Sequence, residues 1–90
     1  MIIVSQDKNF MINFNNIVYI DIDKNSFDKY VIEAYYNSKD EDYVWLGEYS
    51  TIEKARGILE EIIEEYKEEG ICGIGDCITN NNRIFRMPRE

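Results

Sequence analysis

The sequence predicts an α+β fold: an antiparallel sheet of five to six strands with one long amphipathic helix packed on one face, in the order β-β-β-β-β-α-β. Three observations carry this. Residues 1–50 contain five short segments in which apolar residues recur at every second position. The period then changes to that of a helix across residues 50–70. Short polar clusters separate the first five segments, and short connections make sequential strands antiparallel neighbours. At 90 residues, residues 1–90 form a single domain, because a second core would be too small to offset its own chain entropy.

Taken in order, "MIIVS" is short and apolar, and "FMINF" puts Phe10, Ile12 and Phe14 on one face. "IVYIDID" sets Val18, Ile20 and Ile22 against Tyr19, Asp21 and Asp23. "YVIEAYYN" sets Tyr30, Ile32, Ala34 and Tyr36 against Val31, Glu33 and Tyr35. "YVWLGEY" sets Val44 and Leu46 against Tyr43, Trp45 and Tyr49. Turn residues at 6–9, 15–16, 24–28 and 37–42 divide these strands. In "STIEKARGILEEIIEEYKEEG", Ser50 is the expected N-cap, with Glu53 completing a capping box. Ile52, Ala55, Leu59, Ile62 and Tyr66 form the apolar stripe, widened by Ile58 and Ile63, and Gly70 is placed as the left-handed residue past the end. Glu60, Glu61, Glu64, Glu65, Glu68 and Glu69 load the other side, where like charges four residues apart oppose the helix. Docking of the stripe must therefore hold it. "RIFRM" is expected to return as a last strand at the sheet edge.

Composition limits function. The apolar fraction of 44% is that of a folded globular chain, and no apolar run approaches a membrane span. The opening residues lack the pattern of a signal peptide, so the chain is expected to be cytoplasmic. Net charge is −8, and only the last twenty residues, with three bases against two acids, are slightly positive. This disfavours direct nucleic-acid binding and anionic membrane surfaces, and fits either solubility or a partner with a basic surface.

The "EGICGIGDCITNNN" stretch holds both cysteines. Cys72 and Cys77 lack the third cysteine or histidine that a zinc site needs within one chain; a site shared across a dimer would take two cysteines from each. They follow a helix C-terminus, whose dipole disfavours a thiolate. The "GIG" lacks the lysine and following helix of a phosphate loop. The stretch is read as a return loop anchored by Ile71, Ile74 and Ile78. "DIDKNSFD" spaces oxygens as a calcium loop does, but Ser26 and Ile32 stand where glycine and glutamate belong. With no histidine and no nucleophile motif around its serines, the chain is expected to be non-enzymatic, without cofactor or metal.

The aromatic residues are more informative. Tyr19, Tyr35, Tyr43, Trp45 and Tyr49 share the parity opposite the aliphatic face. Either this is a binding surface or dimer interface, or a curled sheet or the last strand covers it. Self-association, as a homodimer, is expected from such a face or from a bare sheet edge.

"MIIVSQD", "NFNNI", "LGEYSTIEKARGILEEIIEEY" and "FRMP" resemble a group of small proteins of Firmicutes genomes and their phages. The resemblance covers most of the chain except "YYNSKDEDY" and the cysteine loop. It implies a phage or mobile-element origin and, by analogy, a stoichiometric inhibitor of a host (defence) protein. On that reading the partner-binding residues are Tyr35, Tyr43, Trp45 and Tyr49 with Glu61, Glu64, Glu65 and Glu68. The alternatives are a sponge for a small nucleotide signal, using Arg83 and Arg86, and a self-assembling structural protein.

Overall fold

A computed structural model describes residues 1–36, 42–70 and 83–89. The elements follow the predicted order: β1 (Ile2–Val4), β2 (Met11–Asn13), β3 (Tyr19–Lys24), β4 (Tyr30–Tyr35), β5 (Tyr43–Tyr49), α1 (Ile52–Gly70) and β6 (Ile84–Arg86). The cysteine loop lies outside the described residues.

The strands do not form the single antiparallel sheet expected. They divide into two three-stranded sheets, ordered β2-β1-β6 and β3-β4-β5. The second is the antiparallel meander that short connections favour. The first joins β1 antiparallel to β2 but parallel to β6, with Ile3 between Ile12 and Phe85. The chain bends at two local turns, one leaving the first sheet and one inside it. After Asn13 the chain makes a 3₁₀ turn, Phe14–Asn16, with the Asn13 carboxamide accepting from Asn15 N–H. After Val4 it turns sharply at 5–10, where the Ser5 hydroxyl donates to Asp7 Oδ1 (2.6 Å) and accepts from Phe10 N–H (3.1 Å). Lys8 takes a left-handed conformation, φ 64°. The Ser5 and Asn9 bonds hold the exposed Asp7 carboxyl below its ordinary pKa.

Gln6 joins the two sheets. Its N–H donates to Leu46 C=O (2.7 Å), and its carboxamide pairs with the Glu48 backbone as a strand residue would: Oε1 accepts from Glu48 N–H (3.0 Å) and Nε2 donates to Glu48 C=O (3.2 Å). Nε2 also donates to Pro88 C=O (3.1 Å).

The core lies between α1 and both sheets. Ala55, Ile58 and Ile62 share one buried cluster with Ile32, Ala34, Leu46 and Tyr49 on the side of one sheet and Met1, Ile3, Phe85 and Met87 on the side of the other. Thr51, not Ser50, caps the helix: its Oγ1 accepts from Lys54 N–H at 3.1 Å, three residues on. Gly70 is the last helical residue rather than the one beyond. Phe14 covers Tyr66 at 5.0 Å between ring centroids.

A β-bulge reorders β5. Glu33 faces Trp45 but Ile32 faces Gly47, so Leu46 is the extra residue. Beyond it the alternation inverts. Tyr49, expected beside Tyr43 and Trp45, is instead in the core with 0% exposure, its hydroxyl donating to Pro88 C=O at 2.7 Å. The ring lies over Gly47, where a Cβ would come within 2.9 Å of Tyr49 Oη.

Candidate functional site

The face of β3-β4-β5 turned away from α1 is built in rows. The first is Tyr19, Tyr35 and Tyr43, which oppose one another across three strands. Tyr19 and Tyr35 stack at 4.4 Å with planes 9° apart, and Tyr43 tilts against Tyr35 at 5.4 Å. Tyr35 is buried between two half-exposed rings. Asp21, Glu33 and Trp45 make the second row, and Asp23, Val31 and Glu48 the third. The face thus combines four aromatic rings with four carboxylates.

A hollow of about 310 Å³ opens on it, lined by Asp23, Lys24, Asn25, Val31, Glu33, Tyr43, Trp45 and Glu48. Asn25 organises its end: Oδ1 accepts from Phe27 and Lys29 N–H (2.9 and 3.0 Å), and Nδ2 donates to Glu48 Oε2 (3.4 Å). These bonds make "DKNSFD" a hairpin turn, with Asp28 at φ 60°. Glu33 sits on the central strand with only 9% exposure. Burial, then the charges of Asp21 and Asp23, push its carboxyl above the ordinary glutamate range.

The residues singled out from sequence do not share one surface. Tyr35, Tyr43 and Trp45 lie on this face; Tyr49 is on the other side of the sheet. Glu61, Glu64 and Glu65 belong to α1, which packs on that other side. Glu64 meets Lys67 at 3.6 Å, and half-buried Glu65 holds Arg83 Nε at 3.3 Å. Glu68 lies outside the described side chains. The acids that do accompany the aromatic rings are Asp21, Asp23, Glu33 and Glu48. Their parity with the tyrosines was visible for three of them; Glu48 joins only through the bulge.

The two arginines of the alternative reading also part company. Arg83 is tied to Glu65, whereas Arg86 lines a cleft of about 330 Å³ with Val4, Ser5, Gln6, Lys8, Met11, Met87 and Arg89. Lys8, Arg86 and Arg89 form no ion pair among the described residues.

Comparison with protein-family models, with curated proteins and with solved structures gave no match. No helix among the described residues is long and apolar enough to cross a membrane. The chain is a small α+β protein whose most distinctive surface is the acid–aromatic sheet face.

Proposed function

We propose that the chain is a small non-enzymatic binding protein that docks a basic segment of a protein partner on the outer face of β3-β4-β5. The carrying observation is the pairing of the tyrosine row and Trp45 with Asp21, Asp23, Glu33 and Glu48 on one sheet face. Amphipathic rings anchor interfaces by desolvated contact, and carboxylates around them select a partner of opposite charge. Such a protein acts stoichiometrically, by occupying its partner. The resemblance to small Firmicutes and phage proteins directs the search to host proteins, defence proteins first.

The test is capture of a host protein on the immobilised chain, with Trp45→Ala and Tyr43→Ala as controls and circular dichroism to verify their fold. The reading requires that capture weaken with salt and be lost in both variants. Equal capture by Trp45→Ala overturns it. Concentration-dependent self-association lost in the same variants would instead give the face to a second copy of the chain.

A second reading has its own observation. The cations of Lys8, Arg86 and Arg89, which form no ion pair among the described residues, surround one cleft and suit a small anion such as a nucleotide. Thermal stabilisation by nucleotides, abolished in Arg86→Ala, would favour it.

A further inference from the structure

Glu33 occupies an unfavourable place for a lone carboxylate. It is the middle residue of the middle row on a strand bonded on both sides, nine-tenths buried. Among the described residues its side chain has no hydrogen bond and no ion pair. Its cross-strand neighbours are Trp45, an apolar ring, and Asp21, a like charge. The one base lining the hollow, Lys24, is turned to Asp28 at 3.5 Å and lies 6.0 Å from the Tyr30 ring centroid. A carboxylate so placed works against folding unless it is protonated or given a cation. Aliphatic side chains fill the equivalent central position on the opposite face, so the sheet itself does not require a charge here.

The surroundings match a cationic occupant. Trp45 and Tyr43 present rings against which an ammonium or guanidinium is attracted. Asp23 and Glu48 add negative charge at the rim. The hollow, at about 310 Å³, admits one long side chain and excludes a folded element.

We propose that this hollow is a receptor for one cationic side chain, a lysine ammonium or an arginine guanidinium, with Glu33 as counter-ion and Trp45 and Tyr43 as walls. The inference rests on the docking face described above and names the anchor that the partner inserts there. Binding is proton-linked. The groups facing Glu33 are Asp21, Asp23 and Lys24 from β3 and Tyr43, Trp45 and Glu48 from β5; α1 lies on the other side of the sheet. A cation favours the ionised carboxylate, so any proton on Glu33 leaves as the cation enters. Affinity therefore falls as the pH is lowered through the Glu33 titration.

The experiment is an NMR titration of the full chain with Gly-Gly-Lys-Gly-Gly and its arginine counterpart, against a norleucine peptide that keeps the chain length and loses the charge. Saturable shifts of the Trp45 indole N–H and the Glu33 carboxyl are expected with lysine or arginine, and none with norleucine. Whichever cation binds more tightly identifies the source. Glu33→Gln, close to isosteric and freed of a buried charge, should weaken binding about tenfold and flatten its pH dependence, the size expected when a charge-assisted contact becomes neutral. Glu48→Gln at the rim should weaken it by less. Equal titration of Glu33→Gln, or equal binding of norleucine, overturns the proposal. Should Trp45→Ala release a protein partner while Glu33→Gln does not, the hollow fails and the docking face stands. Should the lysine peptide bind at Glu33 with no protein partner docking, the hollow stands and the docking face fails.

Discussion

Gly47 shows how a single residue sets the position of a buried ring. A methyl group there would meet Tyr49 Oη at 2.9 Å and Cε2 at 3.0 Å. The ring has no free path of retreat, since it is buried and its hydroxyl is committed to Pro88 C=O. Gly47→Ala should therefore destabilise the fold by about 1–3 kcal/mol, the range for overpacking a filled core. Tyr49→Phe, which removes only the hydroxyl, should cost about 1 kcal/mol. Urea unfolding of both variants measures this. Glu33 has the opposite character. Its pKa is raised in the folded state, so the folded chain holds the proton more tightly than the unfolded one. Stability contributed by this group is present at low pH and lost as pH rises through the Glu33 titration. Glu33→Gln should be the more stable protein at neutral pH, with the difference closing as the pH falls into the ordinary carboxylate range. Unfolding midpoints across pH that stay parallel for the two proteins would contradict this.

At the scale of elements, α1 depends on docking more than on its own sequence. Ile62 is buried in the core, and Ile62→Ala should cost about 2–5 kcal/mol. Thr51→Ala removes the cap and should cost about 1 kcal/mol. Thermal melts of the two variants therefore rank the contributions; a larger loss for the cap would mean that α1 is locally rather than tertiarily stabilised. Periodicity made the helix and all six strands legible in the sequence, because burial on one side imposes its repeat directly. The division into sheets was not legible. It depends on β1 finding β6, and Gln6 reaching Glu48 then ties the two sheets together; both are pairings between residues far apart in the chain that leave no local pattern. The bulge at Leu46 was hidden for a related reason: one extra residue preserves the composition of the strand and inverts its parity, which moved Tyr49 inward and Glu48 outward. Most of the acid–aromatic face was nonetheless readable, since Tyr19, Asp21, Glu33, Tyr35, Tyr43 and Trp45 precede the bulge.

Of the net charge of −8, the acids among the described residues gather mainly on two opposed sides, the exposed helix acids and the outer sheet face. Charges beyond a Debye length, about 10 Å at 0.1 M salt, are largely screened. Reversing Glu61 and Glu64 to lysine should therefore change the association rate with a basic partner less than reversing Asp23 and Glu48 does. Both effects should shrink as salt rises. Stopped-flow association at several ionic strengths separates the two sides, and a larger effect from the helix would place the docking surface there instead.

The parallel pairing of β1 with β6 also dictates an order of events in folding. Ile2 and Ile84 are neighbours in space across nearly the whole sequence, so their contact closes a very long loop and forms late. The three antiparallel pairs of consecutive strands, β1-β2, β3-β4 and β4-β5, need no such closure. When β6 detaches, Tyr49 and Gln6 lose Pro88 together, which frees the hydroxyl and leaves the carboxamide bonded only to the Glu48 backbone. Native-state hydrogen exchange should therefore show the amides of Ile2 and Met87, bonded to Arg83 and Val4, opening as one unit well below the free energy of global unfolding, while Ile32 and Ala34 exchange only when the whole chain unfolds.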